Sequence, residues 1–329
     1  MRNVILFLTA CIFFSCSNQR NEVSTEPTAV NYISTPAKSP SSVPYLFTDK
    51  NGITYLSWIE KADTVSLFKF SRLQANQWSE PQLIASGSTW FVNWADYPMI
   101  TTDGDNNFLS HVLDKSGEGT YSYDVKMFTS TDKGNSWNTP FVLHDDGKEA
   151  EHGFVALVPY EDKMFVSWLD GRNIVTEGNH DAMDHGGHHG AMTLRAAFVD
   201  YSGNKINEWE LDNKTCDCCQ TTAVITDDGP VVIYRDRSDE EIRDISIVRL
   251  IDGNWTKPQP IFKDNCKISG CPVNGPRALG IGNNMSFAWF SAPEGKSHVN
   301  VIFSKDGGAT FSEPVRVDEG KSNGRVDVV

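Results

Sequence analysis

After residue 42, apolar and polar residues alternate with a period of two, in short runs such as Asp124-Val125-Lys126-Met127-Phe128 and Val299-Asn300-Val301-Ile302-Phe303. That period puts one set of side chains on each face of a strand, and no stretch carries the helical period. Gly, Asn and Asp fill the turns between runs, as hairpins require. The runs recur as a larger unit. A strand ending in an aromatic residue and then an acid, Leu56-Ser57-Trp58-Ile59-Glu60, returns as Ser110-His111-Val112-Leu113-Asp114, Ser167-Trp168-Leu169-Asp170, Ile233-Tyr234-Arg235-Asp236 and Ala288-Trp289-Phe290-Ser291. Trp58, Val112, Trp168, Tyr234 and Trp289 are spaced by 54, 56, 66 and 55 residues. A second marker, an aromatic with Pro three places on, follows at Trp78, Trp137, Trp255 and Phe311. Repeats of about 55 residues that each read as a four-stranded antiparallel meander predict an all-β propeller.

Two turns carry a third marker. Ser130-Thr131-Asp132-Lys133-Gly134-Asn135-Ser136-Trp137 and Ser304-Lys305-Asp306-Gly307-Gly308-Ala309-Thr310-Phe311 both read Ser-x-Asp-x-Gly-x-x-aromatic. The carboxylate accepts bonds from turn amides, Gly permits positive φ, and the aromatic plugs the gap between strands. The turn resembles the Asp box (BNR repeat) of the sialidase superfamily, and the resemblance covers most of residues 43–329. It implies a six-bladed β-propeller of sialidase type, with five full blades. Gly324-Arg325-Val326-Asp327-Val328-Val329 then reads as the opening of a sixth, by likeness to Gly275-Pro276-Arg277-Ala278-Leu279-Gly280, in a chain that stops inside it. The alternative is a five-bladed ring closed by the last strand and one near Val30 to Ile33.

The first residues change the picture from a free domain to an anchored one. Arg2 and Asn3 precede an apolar run, Val4 to Phe14, and then Ser15-Cys16-Ser17-Asn18. This is the layout of a secretory signal, and it resembles a bacterial lipoprotein signal with Cys16 lipidated. Leu8-Thr9-Ala10-Cys11 also fits but leaves a very short apolar core. Residues 1–16 are thus read as signal, 17–42 as a Ser/Thr/Pro/Asn-rich tether and 43–329 as propeller, placing the protein in the bacterial envelope, periplasm or outer membrane, with its lipid as the only membrane contact. A net charge of −14 from 29 Lys+Arg and 43 Asp+Glu argues against a nucleic-acid partner.

Propeller topology converts position into direction. Residues just before first strands and just after second strands converge on the top face, where ligands bind. Asp96, His152, Gln220, Asn274 and Arg325 belong to the first group, and Glu60, Asp114, Asp170, Arg172, Arg235, Asp236 and Arg237 to the second. His152, Gln220, Asp236 and Asn274 are the candidate ligand-binding residues, for a glycan or another small polar ligand. Sialidases hold a substrate carboxylate with arginines, attack with a Tyr paired to an acid, and use an Asp as acid/base. The resemblance offers Arg172, Arg195, Arg235 and Arg237 for the first role, Tyr123 or Tyr121 for the second, and Asp96 or Asp170 for the third. Ser42-Val43-Pro44-Tyr45 stands where sialidases carry Arg-Ile-Pro. Cys216-Asp217-Cys218-Cys219-Gln220-Thr221, Tyr234-Arg235-Asp236-Arg237, Gly270-Cys271-Pro272-Val273-Asn274-Gly275-Pro276 and Met192-Thr193-Leu194-Arg195 resemble a branch of exported bacterial sialidase-like proteins.

Seven cysteines include Cys11 and Cys16. In an exported protein the remaining Cys216, Cys218, Cys219, Cys266 and Cys271 are disulfide candidates stapling the fourth and fifth blades, with a thiolate metal site as the second reading. The insertion Asn179 to Met192 offers His180, Met183, His185, His188 and His189, donors suited to copper or, through imidazole, zinc. Two functions follow: a glycan-directed hydrolase of exo-sialidase type, or a non-catalytic propeller for metal binding or envelope assembly.

Overall fold

The alternating runs become five antiparallel sheets in the computed structural model, which describes residues 32–174, 190–270 and 272–329. Blade 1 comprises β1 (Ser41–Thr48), β2 (Thr54–Ala62), β3 (Val65–Gln74) and β4 (Gln77–Trp78), with β5 (Gln82–Gly87) also on β3. Blade 2 is β6 (Ile100–Thr102), β7 (Phe108–Lys115), β8 (Tyr123–Ser130) and β9 (Phe141–Val142). Blade 3 is β10 (His152–Tyr160), β11 (Lys163–Asp170), β12 (Thr193–Val199) and β13 (Lys205–Asp212). Blade 4 is β14 (Thr222–Thr226), β15 (Gly229–Arg235), β16 (Ile245–Ile251) and β17 (Asn254–Trp255), with β18 (Gln259–Pro260) on β16. Blade 5 is β19 (Arg277–Ile281), β20 (Asn284–Ser291), β21 (His298–Ser304) and β22 (Val315–Arg316).

Period-two patterning gives each sheet an apolar face that must be covered, and the next sheet covers it. Tyr55, Phe68 and Phe70 of blade 1 pack with Ile100, Phe108 and Val112 of blade 2. Val125 and Met127 meet Val155 and Val166 across blades 2 and 3. Phe165 and Phe198 meet Val232 and Tyr234 across blades 3 and 4, and Ile233 and Ile247 meet Phe287 and Trp289 across blades 4 and 5. Each such side chain contributes about 1.5–3 kcal/mol on burial. On the opposite faces of the two end blades, Leu279, Ile281 and Phe303 of blade 5 and Leu46 and Leu83 of blade 1 stay exposed.

The expected sixth blade is corrected to five. Gly324–Val329 forms no strand, and β22 pairs within blade 5; of the Val30 to Ile33 segment, Tyr32 and Ile33 form no strand and the rest lies outside the described residues. The terminal segment turns inward. Asn274 Oδ1 accepts the Arg325 amide at 3.0 Å, and the Arg325 guanidinium lies 3.9 Å from the centre of the Trp94 ring. Asp327, Val328 and Val329 line an axial cavity of about 770 Å³ among the inner strands β1, β10, β14 and β19. Cys16 and the His180–His189 run lie outside the described residues. Among those described, no helix is long and apolar enough to cross a membrane.

The recurring aromatic-acid marker has a local cause. Residues two apart share a strand face, so the Trp58 indole donates to Glu60 and the Trp168 indole to Asp170, both at 2.8 Å. Blade 5 has Ser291 in the acid's place, and its Trp289 donates to Asp264, from the preceding loop, at 2.6 Å.

Both Asp boxes are built as their sequence implies. Asp132 accepts the Ser136 amide at 2.9 Å and Asp306 the Thr310 amide at 2.9 Å. The glycines serve a second purpose besides positive φ. A Cβ on Gly134 (φ 79°) would stand 2.6 Å from Phe70 of blade 1, and one on Gly308 (φ 84°) 2.6 Å from Ile247 of blade 4. Each turn therefore presses on the preceding blade. Gly134→Ala is expected to cost about 1–3 kcal/mol through strain and overpacking, read as a lowered midpoint in urea at unchanged m-value.

Candidate functional site

The junction of blades 2 and 3 holds the densest buried chemistry. The loop into β6 delivers Asp96, the start of β8 delivers Tyr123, and the residue before β10 delivers Glu151. The Tyr123 hydroxyl donates to Glu151 Oε1 at 2.8 Å and lies 3.4 Å from Asp96 Oδ2, while Asp96 Oδ1 accepts the Phe154 amide at 2.8 Å. Close approach is possible because residue 153 is glycine: a Cβ there would meet Asp96 Oδ2 at 2.1 Å. Phe91 stacks on the Tyr123 ring at 4.6 Å and covers it. All three groups are buried. Burial pushes Asp96 up to about 7, only partly offset by the Phe154 amide and the Tyr123 hydroxyl. Glu151 is pushed up to about 8 by burial, with the charges of Asp96 and Asp217 adding to it and the Tyr123 bond opposing. Tyr123 is raised by burial and by the two acids. Neutral acids explain how two carboxyl groups share a site where no Lys or Arg of the described residues pairs with either.

On the other side of β10 lies a second cluster. His144 and His152 stack in parallel, with ring centroids 3.5 Å apart and planes 8° from parallel. Asp146 spans one edge of the pair, with Oδ1 2.7 Å from His144 Nδ1 and Oδ2 3.2 Å from His152 Nε2. Asp124 faces the opposite edge, 3.4 Å from His144 Nε2 and 4.0 Å from His152 Nδ1. Asp170 lies 3.7 Å from His152 Nε2. Burial and the neighbouring His152 lower His144. Burial alone would raise Asp146, but its bonds and charge contacts with the two histidines hold it well below the carboxylate range.

The sequence-derived arginines do not gather into a free cluster. Arg172 is bidentate on Asp170 at 2.7 Å and also reaches Glu208, which Arg195 binds at 2.7 Å. Arg237 pairs with Glu241 and Asp217. Arg235 is buried under backbone carbonyls of Arg243, Asn274 and Phe290 at 2.6–3.1 Å. Among the remaining rim residues, Gln220 donates to the Val155 carbonyl at 2.7 Å, Asp236 accepts from Ser246 at 2.9 Å, and the Asn274 side chain donates to Pro272 at 3.0 Å. Asp236 is raised to about 6 by burial and by Asp212. Tyr121 is 40% exposed and meets Phe91 edge-on.

Two residues escaped the sequence reading. Glu151 precedes a first strand as Asp96 does, and only its neighbour His152 had been singled out. Arg277 was read as part of a blade-opening strand. Its guanidinium lies in the axial cavity, donates to Tyr97 Oη at 2.5 Å and Thr222 Oγ1 at 3.4 Å, and forms no ion pair among the described residues.

The cysteine expectation is corrected in part. Cys216, Cys219 and Cys266 are free thiols; Cys218 is disulfide-bonded, and Cys271 lies outside the described residues. The two clusters are neighbours as expected, since Arg243 donates from its amide to the Cys266 carbonyl and from Nη1 to Cys216 Sγ. Cys216 and Cys219 sit 3.6 Å apart, well beyond an S–S bond. The Cys219 thiol's bond and the charges of Arg243 and Arg235 lower Cys216 to about 6 against burial.

The family model of the BNR repeat-like domain matches residues 60–325. No curated protein sequence matches the chain. Among solved structures, an ulvan lyase, a polysaccharide lyase bound to GlcA(1-4)Rha3S, is similar with a TM-score of 0.52 at 11% identity, covering 84% of this chain and 69% of its own. A protein of unknown function from Dyadobacter fermentans is similar with a TM-score of 0.51 at 14% identity, covering 86% and 84%. Likeness at such identity is one of fold.

Proposed function

We propose that this chain, which belongs to the BNR repeat-like domain family, acts on a glycan at the top of its axis as a glycoside hydrolase of exo-sialidase type. One observation carries the reading: a Tyr hydroxyl 2.8 Å from one carboxyl group and 3.4 Å from a second. Glu151, once ionised, takes the Tyr123 proton as the phenolic oxygen attacks the anomeric carbon. Asp96 gives its proton to the departing oxygen and later takes one from the water that releases the sugar. Arg277, which forms no ion pair among the described residues and lines the cavity, is the guanidinium suited to a sugar carboxylate. Phe91 must swing off Tyr123 to admit substrate. Anchoring to the bacterial envelope through lipidated Cys16 completes the proposal and rests on the sequence of the first residues.

Purified protein assayed on fluorogenic glycosides of sialic and uronic acids is expected to turn over at least one of them. Tyr123→Phe and Asp96→Asn should each lower kcat by about 10²–10⁴-fold with an unchanged circular dichroism spectrum, and Arg277→Gln should act mainly on KM. No turnover by the wild type across the panel, or full activity in Tyr123→Phe, rejects the reading.

A further inference from the structure

The loop into β14 carries chemistry that the proposed hydrolysis does not use. Cys216-Asp217-Cys218-Cys219 turns at Asp217 and Cys218, which brings residues 216 and 219 together. Their sulfurs lie 3.6 Å apart, leaving about 1.5 Å to close before an S–S bond of about 2 Å. The pair is asymmetric. Arg243 Nη1 donates to Cys216 Sγ at 3.3 Å, and Glu241 holds that guanidinium at 2.7 Å. Among the described residues no guanidinium bonds Cys219, whose thiol is pushed up by burial and by Cys216. Cys216 thus holds the negative charge and Cys219 the proton, the division that makes one sulfur a nucleophile. A third sulfur stands beside them. Cys218 Sγ lies within 4.8 Å of both and is already in a disulfide. A metal does not suit this cluster, because a bonded sulfur is no thiolate and the Arg243 charge opposes a cation. Cys216 and Cys219 are at most 1% exposed, whereas Cys218 is partly exposed, so the outermost sulfur of the three is the one in a disulfide.

We propose that Cys216 and Cys219, with the Cys218 disulfide beside them, form a thiol–disulfide exchange centre in which Cys216 attacks and Cys219 resolves. The Cys216 thiolate bonds to the Cys218 sulfur as the existing S–S bond breaks, and the electron pair leaves on the sulfur to which Cys218 had been joined. Cys219 then bonds to the Cys216 sulfur and expels Cys218 as a thiolate, and the Cys219 proton passes to one of the two released sulfurs. Two thiols are oxidised and one disulfide is reduced, so the internal exchange needs no other oxidant. A small external disulfide then rejoins the released sulfurs and leaves as two thiols. The buried pair is oxidised in this way through the partly exposed Cys218.

Peptide mass mapping after acid quench and alkylation tests this on the folded full chain. Before treatment Cys216, Cys219 and Cys266 are expected to be alkylated. Excess oxidised glutathione should join Cys216 to Cys219, with Cys218 still bonded and Cys266 still alkylated. Cys219→Ser halts the sequence after its first step and should accumulate a Cys216–Cys218 bond. Cys216→Ser should leave the original Cys218 bond in place and Cys219 reduced. Arg243→Gln keeps a donor but removes the charge, and should slow closure about 10-fold at neutral pH. Circular dichroism reports the folding of each variant, and the wild-type result needs none of them. Cys216 and Cys219 that stay reduced in the folded wild type, yet oxidise once it is unfolded in urea, overturn the proposal. An unchanged Cys218 bond in folded Cys219→Ser, or closure as fast in Arg243→Gln as in wild type, does so too. None of these readouts depends on glycan turnover.

Discussion

Arg235→Met is expected to destabilise the propeller by about 3–5 kcal/mol, the scale for leaving several buried polar groups without partners. The guanidinium is 2% exposed and serves the carbonyls of Arg243, Asn274 and Phe290, so it fastens β15 to the β16 entry, the loop before β19 and the end of β20. Methionine fills the volume but donates nothing. Thermal unfolding should therefore begin roughly 10 °C lower, given a few degrees per kcal/mol in a chain of this size. Two residues on, Arg237 makes its ion pairs with side chains 19–26% exposed, and Arg237→Met should cost under about 1 kcal/mol. The contrast separates a structural arginine from a surface one, and it warns that activity lost in an Arg235 variant reports folding before recognition.

The second large effect is a pH dependence of stability traced to Asp96. Its folded value is about 7 against 3.8 for the free group, so between those values the folded chain holds a proton that the unfolded chain has released. Stability from this group is fully present below about pH 4 and falls as pH rises toward 7. Beyond about 7 the loss is complete. At about 1.4 kcal/mol per pH unit the change amounts to a few kcal/mol. Asp96→Asn keeps the acceptor for the Phe154 amide and removes the titration. The difference in unfolding free energy, Asp96→Asn minus wild type, should grow by a few kcal/mol from pH 4 to pH 8. A difference that stays flat across that range means Asp96 is ionised in the folded protein.

Much of the fold was legible because its markers have local causes. Trp58–Glu60 and Trp168–Asp170 are pairs two residues apart on one strand face, and the Asp boxes close within eight residues. The reading failed where partners come from elsewhere in the chain. Trp289 takes an acid 25 residues away, so blade 5 shows Ser291 where the pattern expects a carboxylate. Gly324–Val329 looks like the start of a blade, but Trp94 and Asn274 capture Arg325 and lead the segment into the axis. The same holds at the site. Asp96 was visible as a residue placed toward the top face and Tyr123 only as one of two tyrosines that the sialidase resemblance offered, whereas the Tyr123–Glu151 bond joins residues 28 apart in different blades, and nothing local announces it. The rim arginines were visible as charges, but their pairing with Glu208, Glu241 and backbone carbonyls emerged only in three dimensions.

The functional account depends on Tyr123 acting as a nucleophile. Incubation with an activated fluorinated sugar of the substrate class, followed by peptide mass mapping, tests that directly: the phenolic oxygen bonds to the anomeric carbon as fluoride departs. The account predicts one sugar adduct per chain on Tyr123, absent from Tyr123→Phe. An unmodified Tyr123 in protein that turns over the parent glycoside, or an adduct on another residue, contradicts it.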